Sequence, residues 1–85
     1  METVFVVEHL DTHDDGEEDW KRIGIYRTRT DALAAIDRAK KLPGFSAHPN
    51  MIDHAASPPR HGFNIDEYHL NMDHWEAGFV TNKHT

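Results

Sequence analysis

At 85 residues with a formal net charge of −6, the chain has room for one domain around one modest core, and an extended catalytic cleft beside that core is hard to accommodate. The absence of cysteine removes disulfide staples, thiolate metal sites and a cysteine nucleophile together. Its 9 basic residues, against 15 acidic ones, are scattered, which argues against nucleic acid as a partner because phosphate backbones require clustered Lys and Arg.

The opening "METVFVVEHL" lacks the basic n-region and long apolar h-region of a signal peptide. No apolar run approaches the ~18 residues that span a bilayer. The expectation is a soluble cytoplasmic module with no membrane partner. Residues 3–7, "TVFVV", form a short continuous run of β-branched and aromatic residues and read as a strand buried on both faces.

Next comes "LDTHDDGEED". Its six carboxylates, Asp11, Asp14, Asp15, Glu17, Glu18 and Asp19, equal the whole acidic excess of the chain. Numbered as a calcium loop from Asp11, it places His13, Asp15 and Gly16 at positions 3, 5 and 6 but Arg22 at position 12, where a bidentate glutamate is needed. Its flanks read as strands rather than the two helices of an EF-hand. A solvated hairpin loop turned by Asp15-Gly16 is the plain reading; a surface that docks a basic partner is the functional one.

In "KRIGIYRT", Ile23 and Ile25 suit one face of a second strand with Tyr26 opposite. Gly24 marks a bulge or a close neighbour. The period then changes: Ala32, Ala35, Ile36 and Ala39 follow the i, i+3, i+4, i+7 spacing of a helix. The spacing predicts a helix over 29–42, capped by Thr28 with Asp31 three residues on. Lys40 and Lys41 complement its dipole and Pro43-Gly44 ends it. Its alanine face implies close packing on a sheet.

Residues 46–62, "SAHPNMIDHAASPPRHG", carry three prolines and little periodicity. They read as a long loop with one short helical turn around 51–56. In "FNIDEYHLN", Phe63 and Ile65 alternate but Tyr68 and Leu70 have the opposite parity, so a bulge near Asp66-Glu67 is expected. The tail places Trp75 and Phe79 four residues apart, as a capping turn or a fourth strand. A right-handed crossover through the helix makes strand three parallel to strand two and antiparallel to strand one. The expected fold is one α+β domain over residues 1–85. Its antiparallel sheet has three strands in the order 2-1-3, or four with the tail, and one helix packs on one face.

The segments "VEH", "IGIYRTRTDALAAI", "LPGF" and "FNIDEYHLNMDHWEAGFV" together resemble a family of small uncharacterised bacterial proteins. In that family an acidic hairpin loop leads to a K-x-I-G-I-Y-S-type strand. An Ala-rich helix, P-G-F and a closing D-H-W-x-x-G-F follow, the last matched here by residues 73–79. The resemblance covers most of the chain, and "NMIDHAASPPRH" departs from it as an insertion. It implies the fold and a stand-alone bacterial module, and it brings no catalytic residue and no cofactor.

Eight histidines are spread over the chain, and only His9 and His13 have i, i+4 spacing. In extended chain that spacing separates them by roughly 13 Å. Cross-strand pairing, for instance of His69 with His9, is another route to a site. Zinc without cysteine needs three or four His or carboxylate ligands, and no complete set is readable, so no metal site is expected. His74-Trp75 closes the core or, if Trp75 is exposed, anchors a partner. There is no phosphate loop and no nucleophile elbow, and an enzyme is not expected. The sequence points to a binding module whose partner-binding residues are the six carboxylates with His74 and Trp75. Its partner is a protein with a basic surface, such as a toxin or other enzyme that it inhibits, as an immunity protein does. The alternatives are a metal- or ligand-binding housekeeping protein that uses its histidines, or an accessory subunit of a larger complex.

Overall fold

The computed structural model describes residues 2–73. His74, Trp75 and the expected closing element lie outside the described residues. The order of elements is β1 (Thr3–Thr12), β2 (Glu18–Tyr26), α1 (Arg29–Ala39), a 3-10 turn (Phe45–Ala47) and β3 (Gly62–His69). The three strands form an antiparallel sheet in the order β2-β1-β3, as the crossover argument requires.

β1 runs five residues beyond the apolar run, through Glu8, His9, Leu10, Asp11 and Thr12. The cause is alternation. Leu10 and Thr12 are buried on one face of the strand, and His9 is buried on the other, so a segment that looks polar is half core. The connection shrinks to a tight turn. The Gly16 N–H donates to the His13 carbonyl at 2.9 Å and the His13 N–H donates to the Glu17 carbonyl at 2.8 Å. Gly16 sits at φ 85°. A turn over Asp14 and Asp15 followed by a left-handed glycine is a common three-residue hairpin, and the third position calls for glycine.

β2 carries the expected irregularity. Val7 pairs with Gly24 but Glu8 pairs with Arg22, leaving Ile23 as the extra residue of a bulge. Ile23 packs against the helix-side core, and the Tyr26 ring lies where a side chain at position 24 would stand. Both meanings of Gly24 therefore hold. β3, by contrast, has no bulge: its register against β1 is unbroken from Thr3↔His69 to Leu10↔Gly62. Phe63 and Ile65 face the helix. Tyr68 and Leu70 have the opposite parity and stand 40% exposed. No realignment was needed, because these two side chains are not core.

α1 begins at the predicted cap, where the Asp31 N–H donates to Thr28 Oγ1 at 3.0 Å. Such a cap contributes about 1 kcal/mol. It ends at Ala39, earlier than 42, with Lys40 as its cap. Ala32, Ala35, Ile36 and Ala39 are its buried residues, and small side chains let the helix lie close over β1 and β2. The main core joins Val7, Ala32, Ile36, Ala39 and Phe63.

Residues 46–62 form a loop with two firm attachments. The Phe63 N–H donates to the Asn50 carbonyl and the Ile52 N–H to the Phe63 carbonyl, each at 2.9 Å, so Met51 makes a parallel bridge beside β3 and Ile52 is buried. The expected helical turn at 51–56 is instead a hydrogen-bonded turn, in which the Ala56 N–H donates to the Asp53 carbonyl at 3.1 Å. Among the described residues no helix is long and apolar enough to cross a membrane.

Candidate functional site at the hairpin end and the long loop

The six carboxylates divide into two groups. Asp11 accepts from His61 Nδ1 at 2.7 Å. Glu18 stands 3.8 Å from the Arg60 guanidinium, and Asp19 accepts from Lys21 Nζ. These three are bound into the strands and the loop. Asp14, Asp15 and Glu17 are exposed at the turn. Asp15 Oδ1 takes only the Glu17 N–H, at 2.9 Å, and among the described residues no cation is paired with any of the three. The hydrogen bond from Lys21 is the main reason that the Asp19 carboxyl titrates below the usual carboxylate range, with smaller pulls from the Lys21 charge and from His13.

Directly behind this turn stands Trp20. It pairs with Leu10 across the ladder, on the face away from the helix, and is 42% exposed. A tryptophan left half in water beside three free carboxylates is the arrangement of an anchor with a charged rim. Sequence reasoning selected Trp75 and passed over Trp20, although "EEDWKR" already shows a large aromatic among charges, where a strand position is unlikely to be core.

The long loop folds back over the end of β1. The Thr12 hydroxyl donates to the Arg60 carbonyl at 2.7 Å and accepts from the Arg60 N–H at 3.2 Å. His9, only 4% exposed, lies edge-on to the rings of Phe45 and Phe63 at 4.8 and 4.7 Å. Its Nε2 is 3.1 Å from the His48 carbonyl oxygen. A carbonyl only accepts, so His9 carries its proton on Nε2 and donates. The His48 ring stacks on His61 with centroids 4.1 Å apart. One ligand atom from each of Asp11, His48 and His61 lies within 4.8 Å of the others.

The histidine pairs considered from spacing are not brought together. His9 pairs with Phe63 and His69 with Thr3, at opposite ends of the β1–β3 ladder. His13 instead leans toward Asp19, 3.8 Å away. The group that does assemble draws on positions 11, 48 and 61, and no local spacing relates these. Among the described residues three clefts border it, two of them on the side of the hairpin. The larger of these two, about 380 Å³, lies between the turn and the loop and is lined by His13, Asp14, Pro59 and His61 among others. The smaller, about 200 Å³, is bordered by His9, Asp11 and Phe45.

No family model, curated protein or solved structure matches the chain.

Proposed function

We propose that this is a protein-binding module that docks the acidic hairpin end onto a partner with a basic surface, as an inhibitor or immunity protein neutralises a toxin or other enzyme. The observation that supports it is the placement of the free carboxylates of Asp14, Asp15 and Glu17 beside the half-exposed Trp20. Binding draws on two physical terms. The carboxylates accelerate encounter by long-range attraction, which salt screens over a Debye length of about 8 Å at physiological ionic strength. Trp20 supplies apolar area that slows release once water is excluded. Glu18, Asp19 and Asp11 act differently from the tip: the first two are paired with the charges of Arg60 and Lys21, and Asp11 is hydrogen-bonded to His61. The reducing cytoplasm is the setting that a chain without cysteine fits.

The test uses the full chain immobilised in parallel with two variants, the triple reversal Asp14→Lys, Asp15→Lys, Glu17→Lys and the single Trp20→Ala. Proteins retained from a lysate of the source cells are identified, and a candidate encoded beside this gene is then purified. Association slowed steeply by the triple reversal at low salt, and dissociation hastened by Trp20→Ala, support the proposal. Equal rates for parent and variants at low and high salt refute it.

A further inference from the structure

We propose that Asp11, His48 and His61 form a binding site for a divalent transition-metal ion of the zinc class, which ties the long loop to the end of β1. This goes beyond the docking surface and does not depend on it. Two imidazoles and one carboxylate are a donor set that suits zinc and its neighbours rather than calcium or magnesium, which take oxygen ligands. The three donors come from separate parts of the chain and meet within 4.8 Å. Zn–N and Zn–O bonds of about 2.0–2.2 Å in a tetrahedral site put donor atoms about 3.4 Å apart, so the donor spacing closes by about an ångström on binding, together with a turn of the His48 ring.

Two details of the site bear on how it would take a cation. His61 Nδ1 and Asp11 Oδ1 stand 2.7 Å apart. A carboxylate and an imidazole lone pair repel at that distance unless a proton or a metal lies between them. In the metal-free protein a proton fills this place, and zinc displaces it, as metal binding at histidine generally does. The second detail is the support behind His48. Its carbonyl is held by buried His9, which is itself wedged between Phe45 and Phe63, so the backbone that carries one ligand is fixed in advance. Positioning of this kind behind the ligands commonly sets metal affinity.

The site also predicts its own rearrangement. The His48 and His61 rings are stacked nearly parallel, at 11°. The lone pairs of a ring lie in its plane, so two parallel rings cannot both aim at one ion. Binding must turn the His48 ring out of the stack. With three protein donors, at least one coordination position is left for water.

The experiment titrates the full chain with zinc chloride against a chromogenic chelator, and follows the parent by NMR. The expected result is about one zinc per chain, with the ring signals of His48 and His61 moving most and their mutual ring-current shifts disappearing. Asp11→Asn, His48→Gln and His61→Gln each weaken binding at least about tenfold, while His54→Ala and the double variant His74→Ala, His84→Ala bind as the parent does. If the parent takes up no zinc, or its zinc is lost with the control histidines, the proposal fails. Because the NMR result is read on the parent, it stands even where a variant does not fold.

Discussion

Replacing Phe63 by alanine tests the central packing argument most directly. Phe63 is fully buried, belongs to the main core cluster and makes an edge contact with His9 and a tilted one with Phe45. Two of the five buried residues in that cluster are alanines, so little side-chain volume is available to collapse into a void. Truncations of this kind cost about 3–5 kcal/mol. At about 0.05–0.15 kcal/mol per residue, a chain of 85 residues has only about 4–13 kcal/mol of stability. The Phe63→Ala variant therefore loses a large share of its stability, and at the lower end of that range it unfolds. With a urea slope near ~1 kcal/mol/M for a small domain, the midpoint falls by about 3 M or more. Leu33 is the control: it is apolar and on the same helix-and-sheet unit, but 48% exposed. Leu33→Ala stays within about 0.5 kcal/mol of the parent. Urea melts followed by circular dichroism measure both. A Phe63→Ala midpoint within ~1 M of the parent, or one no lower than that of Leu33→Ala, would refute the view that this face of the sheet is the core.

Two further outcomes follow from single positions. At Gly62, φ is 134° and a side chain would run into the Asn50 carbonyl oxygen, so Gly62→Ala costs about 2–3 kcal/mol or more; amide exchange at Ile52, whose N–H bonds to Phe63, accelerates, and unchanged exchange would contradict the reading. Asp19 is held below the usual carboxylate range chiefly by the hydrogen bond from Lys21. Its interaction is complete above the carboxyl's unfolded pKa and is lost as pH falls through the lower folded value; NMR titration should find the Asp19 midpoint below the usual carboxylate range and rising in Lys21→Ala.

The helix was legible because its signals agree: the spacing of Ala32, Ala35, Ile36 and Ala39, the Thr28 cap and the Pro43-Gly44 stop. Strand order was legible because crossover handedness leaves one arrangement for two paired strands, a helix and a third strand. The length of β1 was not, because His9 and Asp11 alternate with Leu10 and Thr12 and make a strand resemble a polar loop. The continuous register of β3 was missed for a related reason. Placing Tyr68 and Leu70 on the core face assumed that every large apolar residue is buried, whereas much folded surface is apolar. The turn carboxylates were visible as a run, but their division into free and paired groups depends on Arg60 and His61, which arrive from 40 or more residues away. The same distance hid the histidine cluster.

The bulge at Ile23 has a consequence for how the protein behaves in a crowded solution. β2 is an outer strand of the sheet, with β1 on one side and no strand on the other among the described residues. A nine-residue strand with an open edge is a template onto which another chain can zip, the route by which sheets polymerise. Here the ladder is broken by the extra residue between Arg22 and Gly24, so an incoming strand cannot keep register along its whole length. Glu18, Asp19, Lys21 and Arg22 crowd the half before the bulge with charge of both signs. Straightening that strand by deleting Ile23 would remove a packed side chain and, with it, the interruption that keeps each molecule from recruiting the next.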